Sequence, residues 1–167
     1  MQRKFIQLKN VDYISADINN PVAMIKFDIQ FMSLLDNTFD CIICYHVMSE
    51  VPDDRKAMSE LFRVLKPGGW AIIQSGVDHN LDKTIEDPNV KSPEERARLF
   101  RGPTNVRTYG RDYKHRLENA GFNVKLDNYV RDLSADIIQR HGLDKDEIIY
   151  LCKKPHGTEC TDREVAT

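Results

Sequence analysis

The run from Asn37 to Gln74, NTFDCIICYHVMSEVPDDRKAMSELFRVLKPGGWAIIQ, constrains the fold more than any other part of the chain. Phe39 and Asp40 lead into Cys41-Ile42-Ile43-Cys44, a short apolar run that suits a buried strand. Ala57, Met58, Leu61, Phe62 and Leu65 then recur at the i, i+3, i+4 spacing that lays one apolar stripe along a helix from Asp54 to Leu65. Lys66-Pro67-Gly68-Gly69 stops that helix, because proline cannot continue it and glycine adopts the conformation that closes helix ends. Trp70-Ala71-Ile72-Ile73 begins a second buried strand. Strand, helix and strand in this order form a βαβ unit, so a parallel sheet is expected. Ligands of such sheets sit beyond the carboxyl ends of the strands.

Flanking segments extend the same pattern. Val11–Ile18 alternates and is rich in strand formers, predicting a strand that ends at Asp17. Asn19-Asn20-Pro21 is a turn, and Ala23–Asp28 predicts a second short strand, followed by a loop over Ile29–Leu35. After the βαβ unit, Val77–Val90 is loop-like. Ser92-Pro93-Glu94-Glu95 starts a helix that runs to Phe100, with serine at the cap and acids near the positive end. Arg101–Tyr109 is expected as loop, and Arg111–Ala120 as a helix closed by Gly121. Phe122–Val130 and Ile148–Lys153 are the last predicted strands. The length of 167 residues suits one domain, taken as residues 1–155. Residues 156–167, HGTECTDREVAT, lack an apolar pattern and are expected as a disordered tail.

Charge narrows the class of partner. Twenty-four basic residues against 26 acidic ones give a formal net charge of −2, which argues against nucleic acid and anionic membranes as partners. No apolar run approaches the ~18 residues of a membrane span, and no charged-then-apolar leader begins the chain, so the cytoplasm is the expected location. Cys41 and Cys44 have the spacing of a redox or zinc motif. On a strand, however, residues three apart point to opposite faces, so both are expected to act as small apolar side chains. Cys160, in the polar tail, is expected to be exposed and unpaired.

In its order of FD, apolar strand, HVxxxV, acidic loop, ELxRVLKPGG and strand, the chain resembles the second half of class I S-adenosylmethionine-dependent methyltransferases of the small-molecule type. Their run is commonly FDxIxxxHVLEHVxDDxxAxxELxRVLKPGG. Arg107-Thr-Tyr-Gly-Arg-Asp-Tyr113 followed by LENAGFNV, and the closing Ile148-Ile-Tyr-Leu-Cys-Lys-Lys-Pro155, resemble later parts of the same family, so the likeness spans Val11 to Pro155. It implies a Rossmann-like α/β sheet, mostly parallel with a late antiparallel strand, and S-adenosylmethionine as cofactor. Family members begin with a strand and a glycine-rich turn around the cofactor. No glycine precedes Gly68 here, and Met1–Asn10 resembles the tail of the first helix, so the first βα unit is expected to be missing.

The resemblance assigns roles by position. Asp17 corresponds to the acid that grips the ribose hydroxyls, and a carboxylate can accept two hydrogen bonds from a vicinal diol. Asp28 corresponds to the group that caps the adenine amine, with Ile29 against the ring. Tyr45 and His46 end the third strand beside the sulfonium and the acceptor, and His46 is a candidate general base. Arg107 and Tyr109 lie in a loop that faces the pocket in this branch and are candidate substrate contacts. The segment Arg96–Arg116 is otherwise expected to be a solvated basic face. Two positions depart from the family: its Glu-His pair is Ser49-Glu50 here, and its Asp-His pair is Thr104-Asn105. Two functions follow. One is methyl transfer to a small polar or acidic small-molecule acceptor. The other is an inactive methyltransferase-like domain serving as a subunit or remaining from a shortened gene. A missing central strand would leave unpaired edges, so a homodimer or a partner that completes the sheet is expected.

Overall fold

The computed structural model describes residues 2–156 of the chain. In chain order the elements are α1 (Gln2–Ile6), β1 (Ala16–Asp17), β2 (Ile25–Lys26), β3 (Phe39–Tyr45), α2 (Asp54–Val64) and β4 (Leu65–Gln74). Then come β5 (Ile85–Glu86), α3 (Pro93–Phe100), β6 (Arg107–Thr108), α4 (Tyr113–Asn119), β7 (Asn123–Asp127), α5 (Ala135–His141) and β8 (Ile149–Lys153). The main sheet has the order β3-β4-β8-β7. β3 and β4 are parallel, and β8 runs antiparallel to both β4 and β7. Three of the four strands therefore share a direction and the last strand in sequence reverses it, as the resemblance implied.

One face of this sheet carries the core. Cys44 pairs with Ile73 and Ala71 with Cys152, and all four are buried against Ala57, Met58, Leu61 and Leu117 from α2 and α4. The alternate residues Cys41, Ile43, Tyr45 and Trp70 point the other way and are exposed. Cys41 and Cys44 thus lie on opposite faces and are unpaired, which rules out a shared metal or disulfide between them. Burial lifts the Cys44 thiol to about 12, so it behaves as a small hydrophobe.

The Lys66–Gly69 turn takes a form the sequence does not announce. α2 ends at Val64 and β4 starts at once with Leu65, which pairs with Phe39. The register then jumps to Cys41 opposite Trp70, so Lys66–Gly69 bulge out of the ladder. Gly68 has a φ of 78°, and its N–H donates to the Lys154 carbonyl at 2.9 Å. At Gly69 a side chain would meet the Lys66 and Asp40 carbonyls at 2.8 and 2.9 Å, a second reason for glycine here.

The amino-terminal strands are shorter than expected. β1 and β2 keep two residues each and form a separate parallel sheet, Ala16 with Ile25 and Asp17 with Lys26. A strand is maintained by ladders on its flanks, and among the described residues no third strand joins this pair. The outer edge of β3 also carries no strand among the described residues, so the edges stay unpaired rather than rearranging. β5 and β6 form a short antiparallel pair inside segments expected as loop, and α5, capped by Ser134 and Gly142, occupies a stretch with no predicted element. The expected disordered tail lies, from residue 157 onward, outside the described residues, as does Cys160.

Candidate active site

β3 and β4 end side by side, and the chain turns sharply after Tyr45. His46 sits at φ 56°, a left-handed conformation that a residue with a Cβ adopts only when its surroundings enforce it. The His46 N–H donates to the Gln74 carbonyl at 2.9 Å, and its ring meets the Tyr45 ring edge-on at 4.4 Å. The Tyr45 hydroxyl is 3.4 Å from the Glu147 carboxylate, and partial burial together with that charge raises its phenol above the ordinary value.

The loop after His46 is gripped by Arg107. Its guanidinium donates to the carbonyls of Met48 (2.9 Å), Val51 and Pro52 (2.8 Å), and its Nε donates to Glu86 at 2.9 Å. Beside it, Asp54 at the start of α2 accepts from the Tyr109 hydroxyl at 2.8 Å and from Arg116 at 3.0 Å. Arg116 also donates to Glu86 at 2.9 Å. Asp54, Arg107 and Arg116 are all buried, so each charge depends on its partners. Burial pushes the Glu86 carboxyl up, but hydrogen bonds from Arg116 and Arg107 outweigh it and leave it below its ordinary value. Tyr109 is 0% exposed, and burial with the adjacent Asp54 drives its phenol far above the usual range. Of the two expected substrate contacts, Arg107 lines the cleft with most of its donors engaged within the chain, and Tyr109 is buried with its hydroxyl on Met48 and Asp54.

A cleft of about 360 Å³ opens at the ends of β3 and β4. It is lined by His46, Ser49 and Glu50 after β3, by Gly76 to Asp78 after β4, and by Phe100, Arg101, Asn105, Arg107 and Thr108. Asp78 accepts from the backbone N–H of Asn80 at 3.0 Å and from Arg101, and these interactions keep its carboxyl below the ordinary value. Glu50 accepts from the Thr104 hydroxyl at 2.7 Å, and the Val106 N–H donates to the Ser49 carbonyl at 2.8 Å. Glu50, Asp78 and Arg101 were not singled out from the sequence. Their loops carry no periodicity, and only the departures at Ser49-Glu50 and Thr104-Asn105 pointed to this lining.

Asp17 ends β1 and is exposed, with one carboxylate oxygen accepting the N–H groups of Asn19 and Asn20, each at 2.8 Å. Those two bonds lower its pKa. Asp28 lies two residues beyond β2, and its carboxylate accepts from the backbone and side chain of Gln30 at 2.8 and 3.0 Å. The Gln30 side-chain amide oxygen in turn accepts the Asp53 N–H at 2.9 Å, and Ile29 packs against the core. Gln30 thus joins the end of β2 to the head of α2, a connection that no sequence signal marks. Asp17 lies at the end of β1 and Asp28 just beyond β2, while Tyr45 ends β3 and His46 follows it at the cleft.

Comparison with known proteins relates the chain to methyltransferases. A family model for a methyltransferase domain matches residues 3–73. The chain is 30% identical over 119 residues to a sterol 24-C-methyltransferase of Yarrowia lipolytica, covering 69% of this chain and 29% of that protein. It is 36% identical over 79 residues to a ubiquinone/menaquinone biosynthesis C-methyltransferase of Pasteurella multocida, covering 47% and 24%. The chain therefore spans less than a third of the length of these curated relatives. Among solved structures, the [4+2]-cyclase SpnF has a TM-score of 0.52 at 16% identity, over 79% of this chain and 56% of that one. A candidate methyltransferase from Bacillus halodurans has a TM-score of 0.50 at 17% identity, over 83% and 75%. These two show the shared fold, and with the family match over residues 3–73 they support a class I S-adenosylmethionine-dependent methyltransferase domain.

Proposed function

We propose that this domain binds S-adenosylmethionine and transfers its methyl group to a small polar acceptor. The observation that carries the reading is the coincidence of two features. Asp17 closes β1 and Asp28 lies two residues beyond β2, and a polar cleft opens beside His46 at the ends of β3 and β4. The donor set fits the cofactor. Asp17 retains one carboxylate oxygen for ribose hydroxyls, and Asp28 with Ile29 offers an acceptor beside an apolar surface for adenine. Bound there, the cofactor supplies an electrophilic methyl group. Tyr45 and His46 would flank the reacting atoms, with His46 able to take a proton from the acceptor. Arg107 and Tyr109, assigned by resemblance to the substrate, serve in this reading to hold the loop after His46.

A second reading is a methyltransferase-like domain without activity, and the open edge of β3 favours it. The fold does not choose between them, since one neighbour on the same fold is a [4+2]-cyclase. In either case the unpaired edge suits a homodimer or a partner that completes the sheet. Among the described residues no helix is long and apolar enough to cross a membrane, and Cys41, Cys44 and Cys152 are free thiols, which supports a reducing compartment such as the cytoplasm. Calorimetric titration of S-adenosylmethionine and S-adenosylhomocysteine, with Asp28→Ala as control, tests the proposal. Saturable heat lost in the variant supports it; equal heat in both proteins, or none in either, contradicts it.

A further inference from the structure

The two places where this sequence departs from its family touch each other. Glu50 stands where the family has histidine and Thr104 where it has aspartate, and the Thr104 hydroxyl donates to Glu50 across the cleft at 2.7 Å. The pair leaves the Glu50 carboxylate charge in the cleft. Arg107 is matched by Glu86 and its other donors are committed to three carbonyls. Arg101 is matched by Asp78. Glu50 engages one oxygen with Thr104, and among the described residues no basic side chain pairs with it.

From this imbalance we infer that the cleft takes an acceptor bearing a cationic amine, with Glu50 as its anchor and Thr104 fixing the carboxylate in place. The inference rests on the methyltransferase reading and names the chemical class of its acceptor. Both arginines of the cleft already have carboxylate partners, so a carboxylate ligand would compete with Asp78 or Glu86 for them, whereas an amine would meet an unpaired charge. Few of its lining side chains are apolar, chiefly Val77 and Phe100, so the surface matches a small hydrated amine better than a large apolar ring system.

The test uses ethylammonium and acetate as probes, followed by amide and side-chain NMR of the whole chain at fixed ionic strength. Ethylammonium is expected to shift signals of Glu50, Thr104 and Asp78. Glu50→Gln, which can still accept from Thr104 but lacks the charge, is expected to weaken this binding by about tenfold. Thr104→Val keeps the charge and should weaken it less. Acetate binding in the cleft, or ethylammonium affinity unchanged by Glu50→Gln, would overturn the inference. S-adenosylhomocysteine titrated into the same proteins reads the underlying function separately, with equal heat expected for wild type and Glu50→Gln. Its failure to bind, with ethylammonium still held at Glu50, would contradict the methyltransferase reading alone.

Discussion

Arg63 and Arg107 each gather the carbonyls of a loop, yet they hold regions built in different ways. Arg63, on α2, donates to the carbonyls of Met32 (2.8 Å) and Leu34 (2.7 Å) and to the carboxylates of Asp36 and Glu60. It retains 29% side-chain exposure, and the segment it ties down leaves Phe31, Leu35 and Val22 exposed at 61%, 84% and 70%. Arg107 is 4% exposed, and the loop it holds buries Met48 and Val51. The same fork of donors is thus a tether at the surface and a structural charge in the interior. At the surface, water can replace what is lost. In the interior it cannot, and the stranded partner carries the penalty.

The difference can be broken from its strong side first. Arg116→Met removes one of the two guanidinium groups serving Asp54 and Glu86, and a loss of about 3–5 kcal/mol in urea unfolding is expected. A loss near zero would mean that water reaches Asp54. Arg63→Met should cost less, and should speed hydrogen exchange in residues 23–36 while β3 and β4 stay protected. Equal acceleration in both regions would erase the distinction.

Titration sharpens the same contrast without mutation. Hydrogen bonding to Arg63 is the main cause lowering the Glu60 carboxyl, whereas at Glu86 the two arginines must overcome burial. Both folded-state values lie below the ordinary 4.5. Their stabilisation is therefore present above that value and lost as pH falls through the lower folded values. Acid unfolding should lose part of its pH dependence below pH 4.5 in Arg63→Met, and unchanged acid sensitivity would contradict Glu60 as a contributor.

Smaller effects follow. Ser92→Ala removes the side chain that accepts from the Glu95 N–H at 3.1 Å, and about 1 kcal/mol should be lost. Val22→Ser in the exposed turn between β1 and β2 should change stability by no more than about 0.5 kcal/mol. A larger loss would show that another surface covers Val22 in solution.

How much was legible in the sequence follows the same division. β3 emerges as Phe39–Tyr45 and α2 as Asp54–Val64, as their apolar patterns predict, because each buries one face against a partner within the same βαβ unit. The strands predicted at Val11–Ile18 and Ala23–Asp28 shrink to two residues each. Their composition favours extended backbone, but length is set by neighbours that composition does not encode. Within the candidate site, strand-end residues such as Asp17, Tyr45 and His46 were identifiable from position. Arg107 was identifiable as exceptional among the arginines of residues 96–116, but not as buried. That required the register of β6 against β5, two residues long and lacking a periodic signal. The Glu50–Thr104 bridge was visible only as two separate departures until the fold brought them together.

The most direct test of the account is an NMR titration of S-adenosylmethionine into the isotopically labelled chain, read residue by residue. The account predicts saturable shifts in the amides of Asp17, the Asp28–Gln30 segment and Tyr45–His46, with those near Asp28 abolished in Asp28→Ala. Shifts confined to regions remote from these strand ends, such as α5, or no shift at cofactor excess, would contradict it.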